Sequence, residues 1–124
     1  MKTPLTVLVI EDDPWFAEQH MRTLEHAGFR VRQASDAVAG MAAIDEDLPD
    51  AVVLDMFLPG PNALVLLHEM QSYSDLAQLP IIVCSNSTFN LTPDTRAAYG
   101  VAAVLDKGTM KPQDLVAAVR RVLL

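Results

Sequence analysis

The stretch Ala51-Val52-Val53-Leu54-Asp55-Met56-Phe57-Leu58-Pro59-Gly60 constrains this chain more than any other. An uninterrupted apolar run meets a single carboxylate, and the chain then breaks at Pro-Gly. A run this short and this uniformly apolar reads as a strand covered on both faces, the habit of strands inside parallel sheets. Ligands of open parallel α/β sheets sit beyond the carboxyl ends of the strands, so Asp55 is placed where chemistry is done. The other reading of an aspartate there is a cap on the next turn. Asp55 taken alone does not separate the two.

The rest of the chain supplies the sheet. Leu5–Ile10, Phe29–Ala34, Pro80–Cys84 and Val101–Leu105 are further short apolar segments, with Phe29–Ala34 polar enough for an edge. Helical signals lie between them. Asp13 caps and Pro14 opens a helix to about Ala27, with Phe16, His20, Leu24 and Ala27 on one side and Gly28 as its stop. Ser35 or Asp36 caps a second helix to about Asp47, with Ala39, Ala42, Ala43 and Ile44 as its apolar face. Asn62 caps a third from Ala63 to about Ser72, lined by Leu64, Leu67 and Met70. Thr92-Pro93 starts a helix of about two turns, and Pro112 opens the last, with Leu115, Val119, Val122 and Leu123 inward. The order βαβαβαβαβα predicts an α/β fold, a parallel sheet with helices on both faces and right-handed crossovers.

A length of 124 residues predicts one domain spanning residues 1–124. With a net charge of −7 and scattered basic residues, nothing recommends nucleic acid as a direct partner, and none is expected. A lone cysteine, Cys84, excludes an internal disulfide and fits a reducing compartment. It reads as a structural thiol, and His20, His26 and His68 lack metal-ligand spacing. The first apolar run is cut off by Glu11-Asp12-Asp13, and no run approaches membrane-spanning length. The expectation is a soluble cytoplasmic protein with no membrane partner.

Four strand ends carry the groups that matter: Glu11 and Asp12, then Asp55, then Ser85, then Lys107. In a parallel sheet all lie on one edge. Three carboxylates brought together repel, and a hard divalent cation such as Mg²⁺, which takes oxygen ligands and keeps several waters, relieves them. A lysine and a hydroxyl opposite suit the oxygens of a phosphoryl group.

At these spacings the chain resembles, over its whole length, the receiver domain of bacterial two-component response regulators, chemotaxis receivers included. The resemblance implies a flavodoxin-like doubly wound five-stranded sheet of order 2-1-3-4-5. It implies that Asp55, in its Leu-Asp-x-x-Leu-Pro-Gly setting, accepts a phosphoryl group from a sensor histidine kinase or phosphotransfer protein. It assigns Mg²⁺ to Asp12, Asp55 and the backbone carbonyl of Phe57, with Glu11 an indirect member of the acidic pair. Ser85 stands at the switch hydroxyl, and Lys107 matches the lysine after the last strand. Such a domain catalyses only its own phosphorylation and dephosphorylation, so it is not an enzyme acting on an outside substrate.

Several positions depart from the family pattern. Gly108 follows Lys107 where proline is frequent, Asn86 replaces a small residue, and Ala63 replaces a glycine. Val104 stands where many receivers have a switch aromatic, which removes the ordinary hydroxyl-to-aromatic coupling. The resemblance implies that the positions of Phe57 and Ser87 flank the approach of water to the phosphorus, and an apolar Phe57 there predicts slow self-dephosphorylation. The polar segment from Ser85 to Thr92 predicts a mobile loop. Three other readings compete. A flavin carrier needs a Ser/Thr-rich phosphate loop where this chain has acids, and a haloacid dehalogenase-type phosphatase needs an aspartate where Phe57 stands. The third, a pseudo-receiver working without phosphorylation, must explain the complete acidic set.

Overall fold

The structure, a computed structural model, describes residues 4–56, 58, 63–86 and 92–123. Strands and helices alternate as β1 (Thr6–Ile10), α1 (Pro14–His26), β2 (Arg30–Ala34), α2 (Ala37–Glu46), β3 (Ala51–Asp55), α3 (Ala63–Gln71), β4 (Ile81–Ser85), α4 (Pro93–Ala98), β5 (Val101–Asp106) and α5 (Pro112–Leu123). The strands form one parallel sheet in the order β2-β1-β3-β4-β5. The expected fold is the observed one.

Side-chain alternation explains why the inner strands are apolar throughout. Leu8, Ile10, Val52, Leu54, Ile81 and Val83 face α2 and α3, packing with Ile44, Leu66, Leu67 and Met70. Val7, Val9, Val53, Ile82 and Cys84 face α1 and α5, packing with Leu24, Leu115 and Val119. Each such aliphatic side chain contributes roughly 1.5–3 kcal/mol when fully buried. β2 lies at the edge, and its pattern is mixed, with only Ala34 fully buried. Its Arg32 donates to the carbonyls of Ala43 (2.6 Å) and Asp47 (2.5 Å). Ala43 lies in the final turn of α2 and Asp47 caps it, and the helix has no basic residue of its own in that turn.

A register shift between β4 and β5 pairs Ile81 with Val101 but Ile82 with Ala103. The skipped Ala102 is a bulge that changes which face follows. Val101 packs toward α3, whereas Ala103 and Leu105 pack toward α5. Val104 is left 37% exposed.

The helix starts match expectation, with Asp13, Asp36 and Thr92 accepting from backbone N–H groups of α1, α2 and α4. Gly28 has φ +96°, the left-handed conformation that ends the first helix. Three inward faces are corrected. In α2 the buried residues are Ala37, Gly40 and Ile44, while Ala39 and Ala42 are exposed. In α3 Ala63 and Leu66 join Leu67 and Met70, and Leu64 is only partly buried. In α5 Ala118 is buried, and Val122 and Leu123 are partly so. The segment joining α3 to β4 also contributes to the core, through Leu76 and Leu79. Among the described residues no helix is long and apolar enough to cross a membrane.

Gly40 lets α2 lie directly on β1. A Cβ there would sit 2.6 Å from Ile10 Cδ1 and 3.2 Å from its Cγ1. Alanine normally stabilises a helix interior by about 1 kcal/mol relative to glycine. Gly40→Ala should forfeit that gain and be neutral or destabilising, because overpacking costs about 1–3 kcal/mol. In an Ile10→Val background, which removes Cδ1, the same change should stabilise. Urea unfolding of the four proteins measures both effects.

Candidate functional site

Register decides what meets what at the carboxyl edge. Ile10 pairs with Leu54, so Glu11 and Asp55 follow side by side on adjacent central strands. Asp55 pairs with Cys84 and Ser85 with Asp106, which brings Ser85 and Lys107 to the same edge. The Lys107 N–H donates to the Ser85 carbonyl at 2.8 Å, tying the chain beyond β5 to the end of β4. Asp106 is half-buried, and its Oδ1 accepts from the Gly108 N–H at 2.8 Å to shape the turn after Lys107.

These groups surround a cleft of about 370 Å³ lined by Glu11, Asp12, Asp13, Phe16, Asp55, Asn86, Lys107 and Gly108. Carboxylate oxygens of Glu11, Asp12 and Asp55 lie within 4.8 Å of one another. Glu11 and Asp55 are buried, and Asp12 is exposed at the mouth. Asp13 lines the cleft but is not one of that group, its Oδ1 accepting from Trp15 N–H (2.8 Å) and Phe16 N–H (3.3 Å). Lys107 Nζ forms an ion pair with Glu11 and another with Asp55 Oδ2 at 3.2 Å. Ser85 Oγ is buried and has no hydrogen-bond partner among the described residues.

The crowding shows in the proton affinity of Glu11. Burial, then the hydrogen bond and charge of Asp55, push Glu11 up to about 7, against the pull of Lys107. Lys107 loses some basicity to burial, but its bond to Glu11 and the two carboxylate charges outweigh that and leave it raised. The pocket therefore raises the proton affinity of both Glu11 and Lys107.

Residues 7–120 match the family model described as the response regulator receiver domain. The chain belongs to that family. It is 33% identical over 123 residues to the response regulator MprA of Mycobacterium sp. (strain KMS), covering 97% of this chain and 51% of MprA. It is 32% identical over 120 residues to the transcriptional regulatory protein CseB of Streptomyces coelicolor, covering 94% of this chain and 48% of CseB. The chain thus spans about half the length of these relatives. Among solved structures, the chemotaxis response regulator CheY4 of Vibrio cholerae shares the fold, with a TM-score of 0.86 at 23% identity, covering 96% of this chain and 98% of that one.

The structure of this receiver domain brings together Glu11, Asp12, Asp55, Ser85 and Lys107, all named from the sequence. Asn86, which replaces the family's usual small residue, is exposed on the cleft wall. Phe57, the Pro59-Gly60-Pro61 turn with Asn62, and residues 87–91 including Ser87 lie outside the described residues. Sequence reasoning missed Phe16, whose ring lies under Lys107 with Nζ 4.5 Å from its centroid. Cys84 is buried, and burial pushes its thiol up to about 12, as a structural thiol should be.

His20 is 5% exposed, and its Nε2 has no hydrogen-bond partner among the described residues. Burial, then the positive charge of Lys107, hold its pKa down at about 4, against 6.5 for an ordinary histidine. Its contribution to stability is therefore fully present above pH 6.5 and lost as pH falls through 4. Between pH 7 and pH 4 the parent should lose on the order of 2–3 kcal/mol more than His20→Leu, by the shift at 1.36 kcal/mol per unit. Urea unfolding of both proteins at the two pH values reads that difference.

Proposed function

We propose that this receiver domain is a phosphorylation-dependent switch in which Asp55 accepts a phosphoryl group from the phosphohistidine of a sensor histidine kinase or phosphotransfer protein. The observation that carries the reading is the buried Asp55 carboxylate, with an ammonium 3.2 Å away and two further acids within metal-ligand reach. The donor set is all oxygen and anionic on one side, which fits Mg²⁺ held by Asp12 and Asp55, with Glu11 indirect. The Phe57 carbonyl completes the proposed ligand set from the family resemblance. A bound Mg²⁺ supplies neutralisation of charge on the transferring phosphoryl oxygens.

The chain's own residues do the rest. An Asp55 oxygen attacks the phosphorus, the bond to the histidine nitrogen breaks, and an acyl phosphate forms on Asp55. Lys107 gives up Glu11 to bind a phosphoryl oxygen, and the unpartnered Ser85 hydroxyl donates to another. Because Ser85 and Lys107 sit on neighbouring strand ends, their repositioning reaches the segments after β4 and β5 and biases them between two arrangements that partners distinguish. The reactions are self-phosphorylation and self-dephosphorylation, with no outside substrate turned over.

Incubation with Mg²⁺ and a small phosphodonor, followed by intact mass, tests the reading. The parent should gain one phosphate and Asp55→Asn none. Asp13 is engaged as the helix cap, so Asp12→Ala should weaken Mg²⁺ binding at least about tenfold while Asp13→Ala leaves it within about twofold. Trp15, 63% exposed and three residues from Asp12, reports the titration by fluorescence. Equal losses in the two alanine variants would contradict the ligand assignment.

A further inference from the structure

Among the described residues, the Lys107 ammonium meets Glu11, Asp55 and the face of Phe16. The two carboxylates are the groups that a cation and a phosphoryl group engage. When either arrives, the ion pairs that hold the ammonium are exchanged. A lysine has a flexible four-carbon stem, and an ammonium released from both partners loses its position. Of these contacts among the described residues, the ring of Phe16 is the one with no role in binding a cation or a phosphoryl oxygen.

Phe16 is fixed well enough to serve as a support. Asp13 accepts from the Phe16 N–H and so sets the first turn of α1. Trp15 meets the Phe16 ring edge-on at 5.0 Å between centroids and 85° between planes, and His20 lies at 6.1 Å. The ring separates the acidic cleft from a second cavity of about 260 Å³ between α1 and α5, lined by Trp15, His20, Met110 and Leu115 among others. On the opposite side the Lys107 backbone is held by Ser85. Backbone and head of the lysine are thus held from different elements, β4 and α1.

We propose that Phe16 is a positioning residue for phosphoryl transfer. Its ring face keeps the Lys107 ammonium in the cleft while that ammonium changes partners from Glu11 to the incoming phosphoryl oxygens. The attraction of a cation to a ring face needs no lone pair and survives the exchange. The proposal rests on the role given to Lys107 under the proposed function. It concerns a side chain whose aromatic character matters, so an aliphatic residue of similar bulk cannot replace it.

The test uses the whole chain as parent, Phe16→Leu and Phe16→Tyr. In NMR spectra without Mg²⁺ or donor, the Lys107 ε-methylene protons should be shifted upfield by the ring. That shift should vanish in Phe16→Leu and remain in Phe16→Tyr. With Mg²⁺ and a subsaturating small phosphodonor, Phe16→Leu should be phosphorylated roughly fivefold more slowly than the parent, and Phe16→Tyr should recover most of the rate. Mg²⁺ affinity should stay within about twofold in all three, since no ligand is changed. An unshifted Lys107 signal in the parent, equal rates in parent and Phe16→Leu, or a Phe16→Tyr as slow as Phe16→Leu each overturns the inference. A parent that takes up no phosphate while its Lys107 signal is shifted overturns the phosphoacceptor reading and leaves the ring contact standing.

Discussion

Glu11 and Asp55 end adjacent central strands, and the parallel register leaves them no room to diverge. Two buried carboxylates in that position repel each other and are poorly solvated, which costs several kcal/mol unless a positive group answers them. Lys107 is that group, reaching in from the far side of the sheet and pairing with both. The sheet order, the bulge in β5 that turns Leu105 inward, and the Ser85 carbonyl that holds the Lys107 backbone all bear on whether it arrives. The pocket is therefore a charge arrangement balanced by one ammonium, and any cation entering it must renegotiate that balance.

That balance gives the domain a physical basis for switching. At rest the ammonium is occupied by acids, and Ser85 Oγ has no partner among the described residues. In the proposed switch a phosphoryl group on Asp55 would offer oxygens to both, with Asp12 and Asp55 as the residues that would hold Mg²⁺. Three groups from β3, β4 and the end of β5 then share one ligand. Coupling by shared ligand requires no wire through the core, only segments with two arrangements of similar energy. Val104, 37% exposed on β5 where relatives of this fold were expected to carry an aromatic, leaves that outward face with a small aliphatic side chain.

Much of this was legible in the sequence because strand ends are local features. A continuous apolar run followed by Asp, Ser or Asp-Lys names both the strand and the group at its edge, and a parallel topology does the rest. The edge position of β2 was legible too, from its arginines and glutamine. The inward face of α2 was not. Residues 37–44 are all apolar or glycine, so no helical period distinguishes Ala39 and Ala42, which are exposed, from Gly40, which touches Ile10. Leu76 and Leu79 were missed because they sit in a segment with no period at all. Phe16 could be placed on the inner side of α1 but not beneath Lys107, since that contact joins residues 91 positions apart and depends on the turn after β5.

The claim at the centre of this account is that the acids form a strained, partly protonated cluster that a divalent cation relieves. Calorimetric titration of Mg²⁺ at pH 7, repeated in buffers of different ionisation enthalpy, measures binding and proton release together. With Glu11 near 7, the account predicts release of roughly half a proton per cation, falling toward zero at pH 9. Mg²⁺ binding with no proton release at pH 7, or no binding at millimolar Mg²⁺, would contradict it.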